Sequence, residues 1–535
     1  MSDRGFAGWI NKRFDKLRAA YHRTLTAAMK IRPVIYTLAL LVVFLFGLPF
    51  FLFVNRFKEL APKEDQGVVF GIVQSAANST IEQTSLYTER IYDIFADFPE
   101  SDHVFQRTSA TVGFSGMVLK PWEERSRGSE ELMFAAGSQI SKIPGVQVFV
   151  TTPAPLPGGS QFPIEFVIGS TAEPDQIYQY GRDLQNAAMK SRLFTFSDLD
   201  LKYDKPETEI VFDRDKVAAL GVNLQQVGAD LGTMIGGNYV NRFSNAGRSY
   251  KVIPMVKRKD RLNADQLLDY YVSGPAGEKV QLGTFATLKT TAQPREIKRF
   301  QQLNSVTFRA GLIPGVTADQ ALLFLEKTAA ELLPPDTVVD YAGESRQLRV
   351  EGNKFLGMFA LSFALIFLVL AAQFESFRDP FIVLFGSVPL ALTGALLFPF
   401  LGFTTLNVYS QVGLITLVGL VSKNGILMVE FANQLQYRGN DKLTAIIEAS
   451  SIRLRPILMT SVATVAGHFP LILASGPGAG ARNSIGWVLV TGMIIGTAFT
   501  LFVVPAMYML IARDRSKMVR PDGKSSTGEL TPATA

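Results

Sequence analysis

The stretch Leu417–Ala432, LVGLVSKNGILMVEFA, places one lysine, Lys423, near the middle of a long apolar run. An ammonium group at the centre of a bilayer-spanning helix costs about 2.5–3.5 kcal/mol on insertion scales, and such residues mark ion or proton pathways. Snorkelling to the interface needs a nearby helix end, yet Lys423 lies about 15 residues into its span. A proton relay or ion-coupled switch is therefore the default reading, and it needs a carboxylate.

The expected spans supply none in a suitable place. Glu351, Glu375 and Asp379 fall at membrane edges, and no Asp falls inside a span. Glu430 follows on nearly the same face of the same helix, about 10 Å along its axis. The partner acid is expected outside this chain, or within reach only after movement. Asn424 adjoins the lysine, and Thr460 and Ser461 lie in the next span, just inside Arg453-Leu454-Arg455-Pro456. The Thr460 hydroxyl can extend a hydrogen-bond chain, while Arg453 reads either as an interface anchor or as a relay member. Other chemistries lack their residues. There is no phosphate-cradling loop and no nucleophile elbow, and the three histidines (His22, His103, His468) are scattered. GPGAGA at 476–481 reads as a turn between spans, not as a strand-to-helix phosphate loop. An ATP-driven enzyme is not expected.

The elements that must carry these residues are membrane helices. Hydrophobic residues make up 47% of the 535, 40 of them Phe, and mean hydropathy is +0.19. Apolar stretches long enough to cross a bilayer run over Pro33–Val54, Phe355–Ala372, Phe381–Leu401, Val408–Leu435, Pro456–Ser475 and Ser484–Ile511. Residues 1–32 form an amphipathic helix, with Phe6, Trp9, Ile10, Phe14 and Leu17 at helical spacing among basic residues. It precedes a span too long for a signal-peptide core. Basic residues concentrate in the leader, the 373–380 and 436–455 loops and the tail after 511, which puts both termini in the cytoplasm. The net charge of +6 shows no basic block with interleaved aromatics, so nucleic acid is not an expected partner; without cysteine there is no disulfide or thiolate metal site.

The roughly 300 residues outside the membrane alternate strand and helix patterns. Strands at Gly67–Ala76, His103–Val112, Gly116–Lys120 and Val146–Thr152 with helices at Thr80–Phe98 and Ser126–Lys142 give βαββαβ, a ferredoxin-like unit. A second unit begins at Phe162–Ser170, Pro174–Ser191 and Phe196–Tyr203. It resumes at Asn304–Ala310, Thr317–Leu333 and Thr337–Ala342 after an insertion of about 95 residues, too long for a simple loop.

On these residues the chain resembles the resistance-nodulation-division efflux transporters, in their hydrophobe/amphiphile multidrug branch. The motifs are LAPKEDQG at 60–67, KVAALGV at 216–222, GGNYVNRF at 236–243, LAAQFESFRDPF at 370–381, VPLALTGAL at 388–396, QVGLITLVGLVSKNGILMVEFA at 411–432 and RLRPILMTS at 453–461. The resemblance implies a six-helix α-helical transmembrane bundle and an α+β periplasmic region, built from two ferredoxin-like subdomains and an inserted docking subdomain. The implied boundaries are 1–32 for the surface helix, 33–54 for the first span, and 64–158 for the first porter subdomain. The second porter subdomain takes 159–205 with 295–345, docking takes 206–294, five spans occupy 355–511, and the tail, 512–535, is expected to be disordered.

The same resemblance implies proton relay roles for Lys423, Arg453 and Thr460, with Asn424 beside them. It matches Phe70 and Ile72 to pocket-lining strand positions, and 111–122 to a shortened Phe-rich loop that keeps Phe114 and Met117. It implies export of amphiphilic small molecules driven by the proton gradient, with no other cofactor and no metal, from a Gram-negative inner membrane. The implied partners are a periplasmic adaptor, an outer-membrane channel, further copies in a trimer, and an N-terminal half carrying an aspartate pair, separate or fused in a longer chain. Two other readings stay open: an inactive half-length scaffold, and a membrane-anchored module assisting lipid or protein export.

Overall fold

The computed structural model describes residues 6–54, 58–157 and 159–515, so the expected tail lies outside the described residues from 516 onward. Two helices open the chain, α1 (Phe6–Lys30) and α2 (Arg32–Val54). Helix α1 turns Tyr21, Leu25 and Met29 into the helical bundle and leaves Trp9, Leu17 and its basic residues outside, as its amphipathic spacing requires.

The first sheet unit runs β1 (Val68–Ser75), α3 (Ile81–Ala96), β2 (Ser101–Thr108), β3 (Val112–Leu119), α4 (Ser129–Ile140) and β4 (Val146–Thr151). Thr80 caps α3, its hydroxyl accepting from Gln83 N. The sheet order is β2-β3-β1-β4, antiparallel throughout. One face packs Val69, Val73, Met117 and Leu119 against Ile91, Phe95, Leu132 and Ala136 of the two helices. The expectation that 111–122 is a loop is corrected here: β3 pairs with both β1 and β2 along its length, and the turn is confined to the residues between Thr108 and Val112.

The second unit starts with β5 (Ile164–Ser170), α5 (Pro174–Lys190) and β6 (Phe194–Leu199). An insertion follows: β7 (Lys205–Phe212), α6 (Arg214–Ala219), α7 (Leu224–Met234), the hairpin β8 (Asn241–Asn245) and β9 (Arg248–Val252), β10 (Tyr271–Ser273), β11 (Lys279–Gln281) and β12 (Ala286–Gln293). Strands β7 and β12 pair antiparallel and close the insertion, which has its own core around Val227, Leu282 and Phe285. The unit then resumes with β13 (Arg299–Phe300), β14 (Leu303–Leu312), α8 (Ala318–Leu332) and β15 (Val338–Tyr341). Its order, β15-β5-β14-β6, is that of the first sheet read in the same sense.

Five long helices complete the chain: α9 (Gly343–Phe374), α10 (Arg378–Leu401), α11 (Val408–Tyr437), α12 (Lys442–Ile472) and α13 (Ala479–Ile511). Among the described residues four helices, α9, α10, α11 and α13, are long and apolar enough to cross a membrane. In α12 the polar residues Thr460, Ser461, Thr464 and His468 dilute the apolar stretch. Helices α10, α11 and α13 pack closely through small residues. A methyl group on Gly496 would stand 2.8 Å from Ala391 Cβ, and one on Gly492 2.3 Å from Leu417 Cδ2.

Candidate functional site

Helix α11 carries the lysine, and its rotation is fixed from both ends. At its start the buried Asn407 accepts through Oδ1 from Tyr409 N (3.0 Å) and Ser410 N (3.1 Å), and its own N–H donates to Ser410 Oγ at 2.9 Å. Along its length Leu414, Leu417, Val421 and Met428 are buried. The opposite stripe, Val412, Thr416, Gly419, Lys423 and Glu430, is exposed. Spacings of three, four and seven hold these residues on one face. Among the described residues Lys423 makes no ion pair and no hydrogen bond. Its ammonium stands on the outside of the bundle.

Asn424 turns the other way. It is buried between α12 and α13, donating through Nδ2 to Ser461 Oγ and Thr497 Oγ1, both at 3.4 Å, and those hydroxyls lie 3.0 Å apart. Thr460, half-buried, donates to the Ile457 carbonyl of its own helix at 3.1 Å. Arg453 lies seven residues before Thr460, so the two share a side of α12. Its guanidinium sits 4.7 Å from the Phe431 ring centroid of α11, and its buried Nε has no hydrogen-bond partner. The four residues thus occupy neighbouring faces of α11 and α12, and no hydrogen bond links Lys423 to the other three.

A second polar cluster lies at one end of the bundle, and its acid corrects the sequence reading. Asp379 is not an edge residue preceding a span that begins at Phe381. Helix α10 begins at Arg378, and Asp379 in its first turn is only 1% exposed. Arg515 Nη2 pairs with Asp379 Oδ2 at 2.6 Å, while Arg515 N donates to Gln436 Oε1 at 2.6 Å. Gln436 donates to the Tyr508 hydroxyl (2.6 Å), Tyr508 to Asn433 Oδ1 (2.7 Å), and Asn433 Nδ2 back to Asp379 (3.2 Å). The ring closes on itself, so this acid is committed to Arg515 and not to Lys423. The signal available in the sequence was Asp379-Pro380, an acid and a proline suited to a first helical turn.

Outside the bundle, Phe70, Ile72 and Phe114 share one face of the first sheet. The Phe70 and Phe114 ring centroids are 5.0 Å apart, with Phe105 beside both. Ile72 continues into a cluster with Phe149 and Phe162, on which Phe114 and Phe196 pack. Sequence reasoning missed Phe105, Phe149, Phe162 and Phe196, whose register becomes visible only once β2, β4 and β6 are placed. Met117 belongs elsewhere: its odd position in β3 turns it to the other face, where it is fully buried in the helix-packed core.

Between the two sheet units lies a crevice of about 360 Å³, walled by Met133, Phe134, Val150, Phe196 and Leu348 and bordered by Glu344. The enclosed Glu344 Oε1 has no hydrogen-bond partner. Burial first, and the facing Glu165 carboxylate second, push the Glu344 carboxyl up to about 7. Glu165 itself is paired with Arg309, Oε1 to Nε at 3.3 Å. Among the described residues no three His, Asp or Glu side chains converge as a metal site requires.

Residues 1–512 match the model of the AcrB/AcrD/AcrF family. The chain belongs to that family. An uncharacterized transporter of Haemophilus influenzae is 37% identical over 97% of this chain and 51% of its own length. The multidrug/solvent efflux pump membrane transporter MepB of Pseudomonas putida is 31% identical over 95% of this chain and 49% of its own. The multidrug export protein AcrF of Escherichia coli is also 31% identical, over 95% of this chain and 50% of its own. The chain spans about half the length of these relatives. As an AcrB/AcrD/AcrF family member it is a membrane protein with a helical transmembrane region and α+β units outside it.

Proposed function

We propose that this chain is the C-terminal half of a proton-driven exporter of amphiphilic small molecules, and that Lys423 answers to an acid in a complementary half. One observation carries the reading. Lys423 stands unpaired on the outer stripe of α11, while Asn424 beside it is held inside by Ser461 and Thr497. An unpaired ammonium facing lipid is expensive, and a helix from another half, bearing carboxylates, removes that cost. Protonation of those acids releases the lysine, and α11 and α12 shift in response; Arg453 and Thr460, on the adjacent side of α12, carry the relay onward. The chain is read as crossing the inner membrane six times, α2 and α12 included, with both termini in the cytoplasm and the sheet units in the periplasm. The aromatic face of Phe70, Ile72 and Phe114 receives the substrate's apolar body. Copies assemble as a trimer with a periplasmic adaptor and an outer-membrane channel, and the insertion 206–294 serves docking.

The test is Lys423→Ala in cells that supply the complementary half. Export of an amphiphilic dye is expected to fall to background while the protein level in the membrane is unchanged. Unchanged export ends the relay role.

A further inference from the structure

At the end of the bundle where α1 meets α12 lies an open groove of about 870 Å³. Its α1 wall is a repeat of four: Arg18, His22, Thr26 and Lys30, with Arg23 alongside. This spacing keeps the side chains along one slowly winding ridge. The opposite wall is the start of α12, where Ser451 Oγ lies 3.0 Å from His22 Nδ1. The helix bearing the ridge is fixed in place. Tyr21 donates its hydroxyl to the Leu501 carbonyl at 2.6 Å, and Arg455 Nη2 donates to Asn11 Oδ1 at 2.8 Å.

The cations of the groove are not used internally. Among the described residues Arg18, Arg23 and Lys30 form no ion pair or hydrogen bond, and all three are exposed. Two acids line the same groove. Glu448 accepts from Asn440 Nδ2 at 3.2 Å and Asp15 sits towards the start of α1; neither pairs with a groove cation. The depth is that of the bilayer surface. Lys30 is followed, after Ile31, by the apolar α2, and Ser451 precedes the apolar part of α12. The same helix exposes Trp9, Leu17 and Ile31, side chains suited to an interface.

We propose that the groove between α1 and α12 binds the phosphate of an anionic phospholipid headgroup, with Arg18, Arg23 and Lys30 as its cationic partners and the acyl chains lying against the bundle below. Guanidinium and ammonium groups clustered at a membrane edge select anionic headgroups. The assignment needs only that the helices cross a membrane, not that the chain exports anything.

The test uses the full chain in nanodiscs of phosphatidylcholine alone or with added phosphatidylglycerol, read by thermal unfolding and by lipid retention in native mass spectrometry. Phosphatidylglycerol is expected to raise the melting temperature and to be retained. The triple variant Arg18→Gln, Arg23→Gln, Lys30→Gln is expected to weaken retention on the order of tenfold or more. The control triple Lys12→Gln, Arg13→Gln, Lys16→Gln is expected to retain lipid as the unaltered chain does. Glu448→Gln, which subtracts a negative charge, is expected to strengthen retention, so a sign is tested even if the triple variant folds poorly. Equal loss in both triples, or no preference over phosphatidylcholine, overturns the site. Inorganic phosphate reproducing the full stabilisation overturns its assignment to a lipid.

Discussion

Adjacent residues in α11 have opposite tasks. Lys423 faces out and Asn424 faces in, about 100° apart on the helix. The inward amide sets the rotation that presents the outward ammonium. Its position in an apolar run made the lysine legible in the sequence, because a charge there demands an explanation. The direction in which Lys423 points was not legible, because it depends on which neighbours fill the other face. Glu344 was missed for a similar reason: nothing local distinguishes it from the other acids before the last five spans. Its elevated carboxyl pKa arises from the crevice and from Glu165, which is far away in sequence. Glu344 lies about 16 Å along α9 before Phe355, outside the apolar stretch. Folding raises this carboxyl from 4.5 to about 7, so the folded chain holds a proton that the unfolded chain releases, and stability falls as pH rises through that window. Glu344→Gln is expected to melt higher than the unaltered chain at about pH 8 and to converge with it below about pH 5. Differential scanning fluorimetry across pH checks this; parallel curves refute it.

The bundle helices are tied by their ends as well as by their faces. Asp379 of α10, Asn433 and Gln436 of α11, Tyr508 of α13 and Arg515 beyond it form one closed polar ring, and Lys442 at the start of α12 donates to the Met509 and Ala512 carbonyls at 2.9 and 2.6 Å. Removing one charge of a buried pair leaves the other unpaired and costs about 3–5 kcal/mol, whereas replacing both with apolar groups is often neutral. Asp379→Leu is expected to lower the unfolding midpoint sharply. Asp379→Leu with Arg515→Met is expected to recover most of the loss, and a double variant worse than the single would refute the pairing. The helices themselves were legible from apolar length and the strands from period-two alternation, as in Val68–Ser75. The ring was not, because it joins residues from four separate stretches whose proximity only the packed bundle defines. The reading of 111–122 as a loop failed because Gly113 and Gly116 resemble loop residues locally, while their place in the ladder depends on partners in β1 and β2.

At the scale of the molecule, the exposed stripe of α11 and the match to half the length of its relatives point the same way. Purification in mild detergent from cells carrying both halves is expected to recover this chain with a second six-span polypeptide, and expression of this chain alone is expected to give no export. Robust export by the chain alone would refute the need for a partner. The outer units are not tethered loosely to the bundle. Strand β15 ends at Tyr341 and α9 starts at Gly343, and Arg349 of α9 pairs with Asp319 (2.6 Å) and Glu326 (2.8 Å) of α8. From there α9 runs unbroken for 32 residues, about 48 Å, through a segment that is only 11% buried against the other helices. Such a rod, bolted at one end and nearly free along its shaft, works as a lever: a tilt of about 5° at its foot swings its head by about 4 Å. The sheet unit fastened to that head would move with it, so a sub-ångström adjustment beside α9 in the bilayer becomes a displacement large enough to open or shut the crevice at Glu344.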